Sequence, residues 1–286
     1  MDNQNVHTMI TFVMNIAVPS ALFLAIARTP RSLFHEQLPT AILLAVVYAI
    51  IYTISFVWTH FGLNLGSSDS SVVALTLSFP NSAAVGLPLL GSVFGAQSGV
   101  TVATSLAVGS ITVSSVTIAI LQAGRESKGF RLGHIALALA RSFKNPVLWA
   151  PLLGLLFSCA ELKLPSYLDR SLNVMGMAAG GAALLLTGLV VSAQGFEIGR
   201  RMFTAVLLKN AVQPALALGI ALLIHLSIDQ VRYVVLISAI PCGFFGTVFG
   251  KSFGSNPNLA SSSLIASYVT GVGTLTAWIV LVNHLR

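Results

Sequence analysis

Hydrophobic positions along this chain do not alternate; they gather into long runs parted by short polar breaks. Runs of about 20 apolar residues suffice to cross a bilayer as a helix, and such runs occupy residues 9–28, 38–60, 70–95, 97–121, 145–162, 169–194, 202–225, 230–253 and 258–284. The pattern predicts an all-α polytopic membrane protein with about nine transmembrane helices. Two of the runs are interrupted. Residues 72–95, VVALTLSFPNSAAVGLPLLGSVFG, carry Pro80, Asn81, Gly86, Pro88, Gly91 and Gly95; residues 232–254 carry Pro241, Gly243, Gly246 and Gly250. A proline inside a helix removes a donor and clashes with the preceding turn, so each run predicts a broken helix. In hydrocarbon the freed backbone groups must find partners within protein or a water-filled cavity. Interrupted spans in matching positions of two halves mark the binding site of a secondary transporter.

The longest polar break, residues 122–144, holds Arg125, Lys128, Arg131, Arg141 and Lys144, and its FRLGHIALALARSF portion reads as an interfacial amphipathic helix. It divides the chain into a first repeat at 1–121, with four helices and the break at 70–95, and a second at 145–286, with five helices and the break at 230–253. Four plus five places the two broken helices in opposite orientation, as an inverted repeat requires, and makes the absent member an N-terminal helix. The echo of GSVFG at 91–95 in GTVFG at 246–250 falls at different distances from the two prolines and carries little weight. The first run begins MDNQN with no basic flank and no clear cleavage site, so it reads as a retained helix. Lys and Arg divide eight to six between the two faces, a weak bias, and the basic cluster of the central break decides for the N-terminus in the cytoplasm and the C-terminus outside.

Composition sharpens the class. Among 286 residues 55% are hydrophobic and 8% charged, with a mean hydropathy of +0.88, against about 25% charged in soluble domains. The net charge of +7 is spread over loops without aromatic interleaving, which argues for positive-inside topology and against a nucleic-acid partner. Cys159 and Cys242 lie in apolar runs and offer neither metal spacing nor a disulfide framework. No Asp, Glu or His sits in the middle of a run, which argues against an intramembrane enzyme, a metal site or a resident cofactor.

The candidate chemistry lies at the breaks. A broken helix presents unpaired N–H groups and the positive end of a half-helix dipole, a setting that suits an anion. Pro80, Pro241, Cys242 and Gly243 form the breaks, and Asn81 adds an amide that both donates and accepts. The competing reading of Asn81 is a helix cap that satisfies the break itself. Ser78, Ser82 and Thr247 are near enough in sequence to line the same cavity or to bond helix to helix. Lys209 lies inside its span with Asn210, Gln213 and Pro214 close behind. An intramembrane lysine is a functional hypothesis; it attracts the anion, stands in for a coupling cation, or snorkels to the surface. Gln213, one turn on, is expected to share a face with Lys209 and Asn210. Gly176, Gly180, Gly181 and Gly188 supply a sliding face, static packing or a homodimer contact. The coupling ion, H+ or Na+, stays open; uniport, or coupling through backbone oxygens and Lys209, fits better than a carboxylate relay.

SFPNSAAVGLPLLGSVFG, LLLTGLVVSAQ, LLKNAVQPALALG and SSSLIASYVTGVGTLTAW together resemble the auxin efflux carrier family, which includes bacterial malonate-type permeases. The likeness covers almost the whole chain and is most specific at S-F-P-N-S and the following G-L-P. It implies two inverted five-helix repeats, the fourth helix of each interrupted, crossing near the bilayer midplane, with a transport domain moving against a scaffold. It implies alternating-access transport of small mono- or dicarboxylates, malonate- or auxin-like, across a bacterial inner membrane. Two departures stand out. The chain begins at the family's second helix, and the late break reads IPCGFFG, leaving Cys242 and Gly243 where a polar residue is expected. A sodium and bile-acid type symporter and a non-transporting accessory subunit remain as competing readings.

Overall fold

The computed structural model describes residues 8–9, 11–95, 98–125, 146–194, 198–255 and 257–285, and every regular element among them is helical. Helix α1 runs a π-helical turn, Val13–Ala17, into Val18–Ala27. Helix α2 spans Ser32–Val57 and closes on a π-helical turn, Trp58–Gly62. Next come α3, Ser67–Ser78, and α4, a π-helical turn Ser82–Gly86 followed by Leu87–Phe94. Helix α5 joins Gly99–Gly109, Ser110–Ser114 and Ser115–Arg125. Then follow α6, Pro146–Cys159, and α7, Ser166–Gln194. Helix α8 joins Arg200–Leu207, a π-helical turn Leu208–Val212 and Gln213–Leu223. The chain closes with α9, Ile228–Ala239, α10, Phe245–Phe253, and α11, Asn258–Asn283. The predicted interfacial helix of the central break lies outside the described residues.

Among the described residues four stretches are long and apolar enough to cross a membrane on their own: Glu36–Gly62, Gly99–Gly124, Arg200–Leu223 and Asn258–Asn283. The two interrupted runs are broken where their prolines stand. Steric conflict with a following proline drives a residue out of the α region. Phe79, before Pro80, is extended at φ −98°, ψ 106°, and Ile240, before Pro241, sits at φ −56°, ψ 137°. Each helix therefore stops within a residue or two of its proline and resumes a few residues later.

The helices sort into two packing groups. Helix α1 packs against α6 and α7, and Arg28 at its end binds Asp169 through two 2.9 Å hydrogen bonds and Asn173 through a third. The second group surrounds the breaks: α3 is packed by α2, α5, α10 and α11, and α9 by α8 and α11. Small residues set the closest approach. Gly246 and Gly250, one turn apart on α10, lie on Val72 and Thr76 of α3, where a methyl group on either glycine would collide. Gly176 sits against the backbone of Ala21, so it closes the α7–α1 contact, whereas Gly181 faces open space.

Candidate functional site

The breaks meet. Pro80 and Cys242 pair as an antiparallel bridge. The Asn81 N–H donates to the Pro241 carbonyl at 3.1 Å, and the Gly243 N–H donates to the Thr76 carbonyl at 3.3 Å. The Cys242 N–H donates to Ser267 Oγ of α11 at 3.0 Å. Glycine is required at 243, because a methyl group there would strike the Phe79 carbonyl oxygen. Phe79 stacks on Phe245 at 4.9 Å and Phe245 on Phe244 at 4.5 Å, sealing one side of the crossing with aromatic surface. These amides were expected to face a shared hollow; in this conformation they are bonded across the crossing instead, and Asn81 and Cys242 are fully buried. Main-chain pairing is the cheapest way to satisfy two breaks that share a hydrocarbon environment.

The carbonyl ends of the same half-helices are held from α8. Pro214 lacks the N–H that would bond the Asn210 carbonyl, and that carbonyl accepts from Trp278 Nε1 of α11 at 2.9 Å. The helix widens here into its π-helical turn, with bonds that reach five residues along in place of four. Lys209 Nζ donates to Gln213 Oε1 at 2.7 Å and to the Ser238 carbonyl at 3.1 Å. Gln213 Nε2 donates in turn to the Ser78 carbonyl at 2.8 Å. Both side chains have no exposed surface, which rules out the snorkelling alternative for Lys209. Gln213 shares its face with Lys209, as expected. Asn210 does not: its amide turns to α11, donating to the Ser267 carbonyl and to Thr270 Oγ1, each at 3.0 Å.

The remaining sequence candidates separate. Asn81 Nδ2 donates to the hydroxyl of Tyr268 on α11, a half-buried residue at the edge of the crossing. Ser82 Oγ lies 2.8 Å from Ser105 Oγ, which lies 2.7 Å from the Tyr48 hydroxyl, a buried chain of three hydroxyls running from the break to α2. Thr247 Oγ1 bonds the Phe244 carbonyl of its own first turn at 2.8 Å. Ser78 keeps its hydroxyl buried without a partner. Sequence reasoning missed Tyr268, Ser105 and Ser267. The signal for two of them was present in ASSSLIASYVT, whose four serines are all buried along α11.

Among the described residues no group of His, Cys, Asp or Glu is placed to hold a metal, and the ion pairs Arg28–Asp169 and Arg232–Asp229 do not involve Lys209. The crossing thus offers neutral amides, hydroxyls and carbonyls with one amino group beside them. The Cys242 thiol is buried at the crossing too, near that amino group.

Comparison with known proteins finds similarity to membrane transporters. The sequence pattern of a family described as membrane transport protein matches residues 1–279. An uncharacterized transporter, YfdV, of Escherichia coli (strain K12) is 26% identical over 271 residues, covering 93% of this chain and 85% of that protein. An uncharacterized transporter of Methanothermobacter thermautotrophicus is 22% identical over 98% of this chain and 90% of its own length. Auxin efflux carrier component 8 of Arabidopsis thaliana is 27% identical over 146 residues, 49% of this chain and 40% of that carrier.

Proposed function

Given that this chain belongs to the membrane transport protein family, the family of the auxin efflux carriers, we propose that it moves small organic anions by alternating access, binding them where its two broken helices cross. Its relatives make it a membrane transporter and an integral, multi-pass protein. The substrate class, mono- or dicarboxylates of malonate or auxin type, is our reading. The observation that carries it is the backbone pairing of the two breaks with Asn81 at the junction.

A first helical turn has N–H groups without intrahelical acceptors and a positive dipole end. The turns that begin α4 and α10 bring two such ends to the crossing, which supports an anion rather than a cation as cargo. Because the crossing is buried on all sides, access requires movement. Helices α1, α6 and α7 pack chiefly on one another, with α7 also reaching the Ser82–Gly86 turn, α10 and α11; that cluster supports a frame against which the remaining helices shift, and the α7–α1 contact at Gly176 belongs to it. The two inverted repeats, the bacterial inner membrane, and an N-terminus inside with the C-terminus outside complete the reading. A homodimer through the outer faces of the frame is compatible with it.

Uptake of labelled malonate by liposomes containing the purified protein tests this directly. Asn81→Ala is expected to abolish uptake while the variant keeps its helical content. Wild-type uptake no greater than in empty liposomes, across a panel of small mono- and dicarboxylates, would remove the organic-anion reading and favour an accessory role.

A further inference from the structure

We propose that Lys209 acts as a tethered cation, a built-in ammonium that binds the carbonyl ends of both broken helices and does there what a dissociable coupling ion would otherwise do. The inference deepens the transport reading above and rests on it.

The last turn of a helix carries carbonyls with no N–H partner and the negative end of the dipole. Two such ends, those of α3 and α9, are brought together by the crossing. Neither end's outermost carbonyl is relieved by the N–H four residues on: the Ser82 N–H bonds the Pro80 carbonyl and the Cys242 N–H bonds Ser267 Oγ, which leaves the Ser78 and Ser238 carbonyls to other donors. Lys209 and Gln213 fill this need as a unit. Nζ bonds the Ser238 carbonyl directly, and through Gln213 it polarises the amide that bonds the Ser78 carbonyl. One amino group therefore serves both half-helices. The oxygens it bonds belong to neutral groups, the Gln213 amide and the Ser238 backbone carbonyl, the donors that suit a hard monovalent cation. The hydroxyls of Ser78 and Ser238, on the same two residues, are buried without a partner, so further oxygens flank the carbonyls that the unit holds. Lys209 and Gln213 are wholly buried, so the charge has no route to water in this conformation.

A charge on a side chain cannot leave with the substrate. Transport is then expected to be indifferent to external Na+ and K+. Carrying a monoanion is expected to move net negative charge on every cycle, since no external cation accompanies it.

The test uses the full-length protein. Wild-type uptake of labelled malonate is expected to agree within about twofold in Na+, K+ and N-methylglucamine buffers, and Lys209→Ala to fall by about tenfold or more. The atoms removed in Lys209→Ala are those of n-propylammonium, so millimolar n-propylammonium is expected to restore uptake and raise the melting temperature of Lys209→Ala, while n-propanol is not. Wild type is expected to respond to neither. Lys209→Gln, a neutral donor, is expected to stay impaired. The proposal is overturned if Lys209→Gln transports within about twofold of wild type, if Lys209→Ala shows no response to n-propylammonium, or if wild-type uptake needs Na+. Should Lys209→Ala fail to fold, the wild-type ion series and Lys209→Gln decide the matter. The melting-temperature arm needs no substrate, so a protein that takes up no organic anion would defeat the substrate reading and leave the cation to be judged separately.

Discussion

Replacing Gly246 with alanine puts the contact between α3 and α10 to a quantitative test. A Cβ built at Gly246 lies 2.5 Å from the Val72 carbonyl oxygen and 2.8 Å from the Thr76 nitrogen, and it also strikes Thr76 Oγ1. Bringing the first of these to ordinary contact at 3.4 Å requires 0.9 Å of separation (3.4 − 2.5) between two helices packed on backbone atoms, which cannot swing aside. The Gly243 to Thr76 bond is already 3.3 Å long, so a displacement of that size breaks it and strains the Asn81 to Pro241 bond at 3.1 Å. Overpacking costs about 1–3 kcal/mol. Interhelical hydrogen bonds in lipid are worth about 0.6 kcal/mol each, so losing both brings the total to about 2–4 kcal/mol. Reversible unfolding in mixed detergent–SDS micelles measures this, with Gly91→Ala as the control. Gly91 occupies the matching place in the GSVFG echo yet has nothing within 4 Å, and its substitution is expected to shift stability by no more than about 0.5 kcal/mol. Equal effects of the two substitutions, or a loss at Gly246 below about 1 kcal/mol, would refute the claim that backbone contact holds the crossing together.

Two further outcomes follow from the same geometry. Tyr268→Phe keeps the ring but removes the hydroxyl that meets Asn81 Nδ2, and it is expected to raise the KM for malonate uptake by about three- to tenfold with little change in melting temperature; unchanged kinetics would take Tyr268 out of the site. Gln213→Leu strips the Ser78 carbonyl of its donor and Lys209 of one acceptor, and it is expected to cost about 1–3 kcal/mol in the same unfolding assay, while a neutral result would show that the carbonyl finds another partner.

Much of the architecture was legible because lipid leaves the chain few choices. Apolar runs of bilayer length had to be helices, and Pro80 and Pro241 had to break theirs. That the breaks would bond one another by main-chain hydrogen bonds was not legible, since backbone pairing across 162 residues leaves no trace in side-chain pattern. The orientation of Lys209 and Asn210 was also hidden. A straight α-helix places them on neighbouring faces, but the widened turn at Leu208–Val212 sends one toward the breaks and the other toward α11. A clue existed: the π-helical turns at Val13–Ala17, Ser82–Gly86 and Leu208–Val212 each precede a segment whose second residue is proline, Pro19, Pro88 and Pro214. The two glycine motifs, whose echo carried little weight in the sequence, take different places for a related reason. Identical spacing does not fix which way a helix face points, so Gly246 and Gly250 meet α3 while Gly91 meets nothing.

The pairing of the breaks also constrains how the protein is made. The Ser78 carbonyl finds its donor 135 residues later in the chain, and Pro80 meets Cys242 after 162. At synthesis rates of about 5–20 residues per second, the first interrupted span waits about 8–30 s for the second to emerge. During that interval its open main chain needs a temporary host, whether water drawn into the bilayer or a groove in the insertion machinery, and a nascent chain halted before residue 209 is expected to be held there rather than released into lipid.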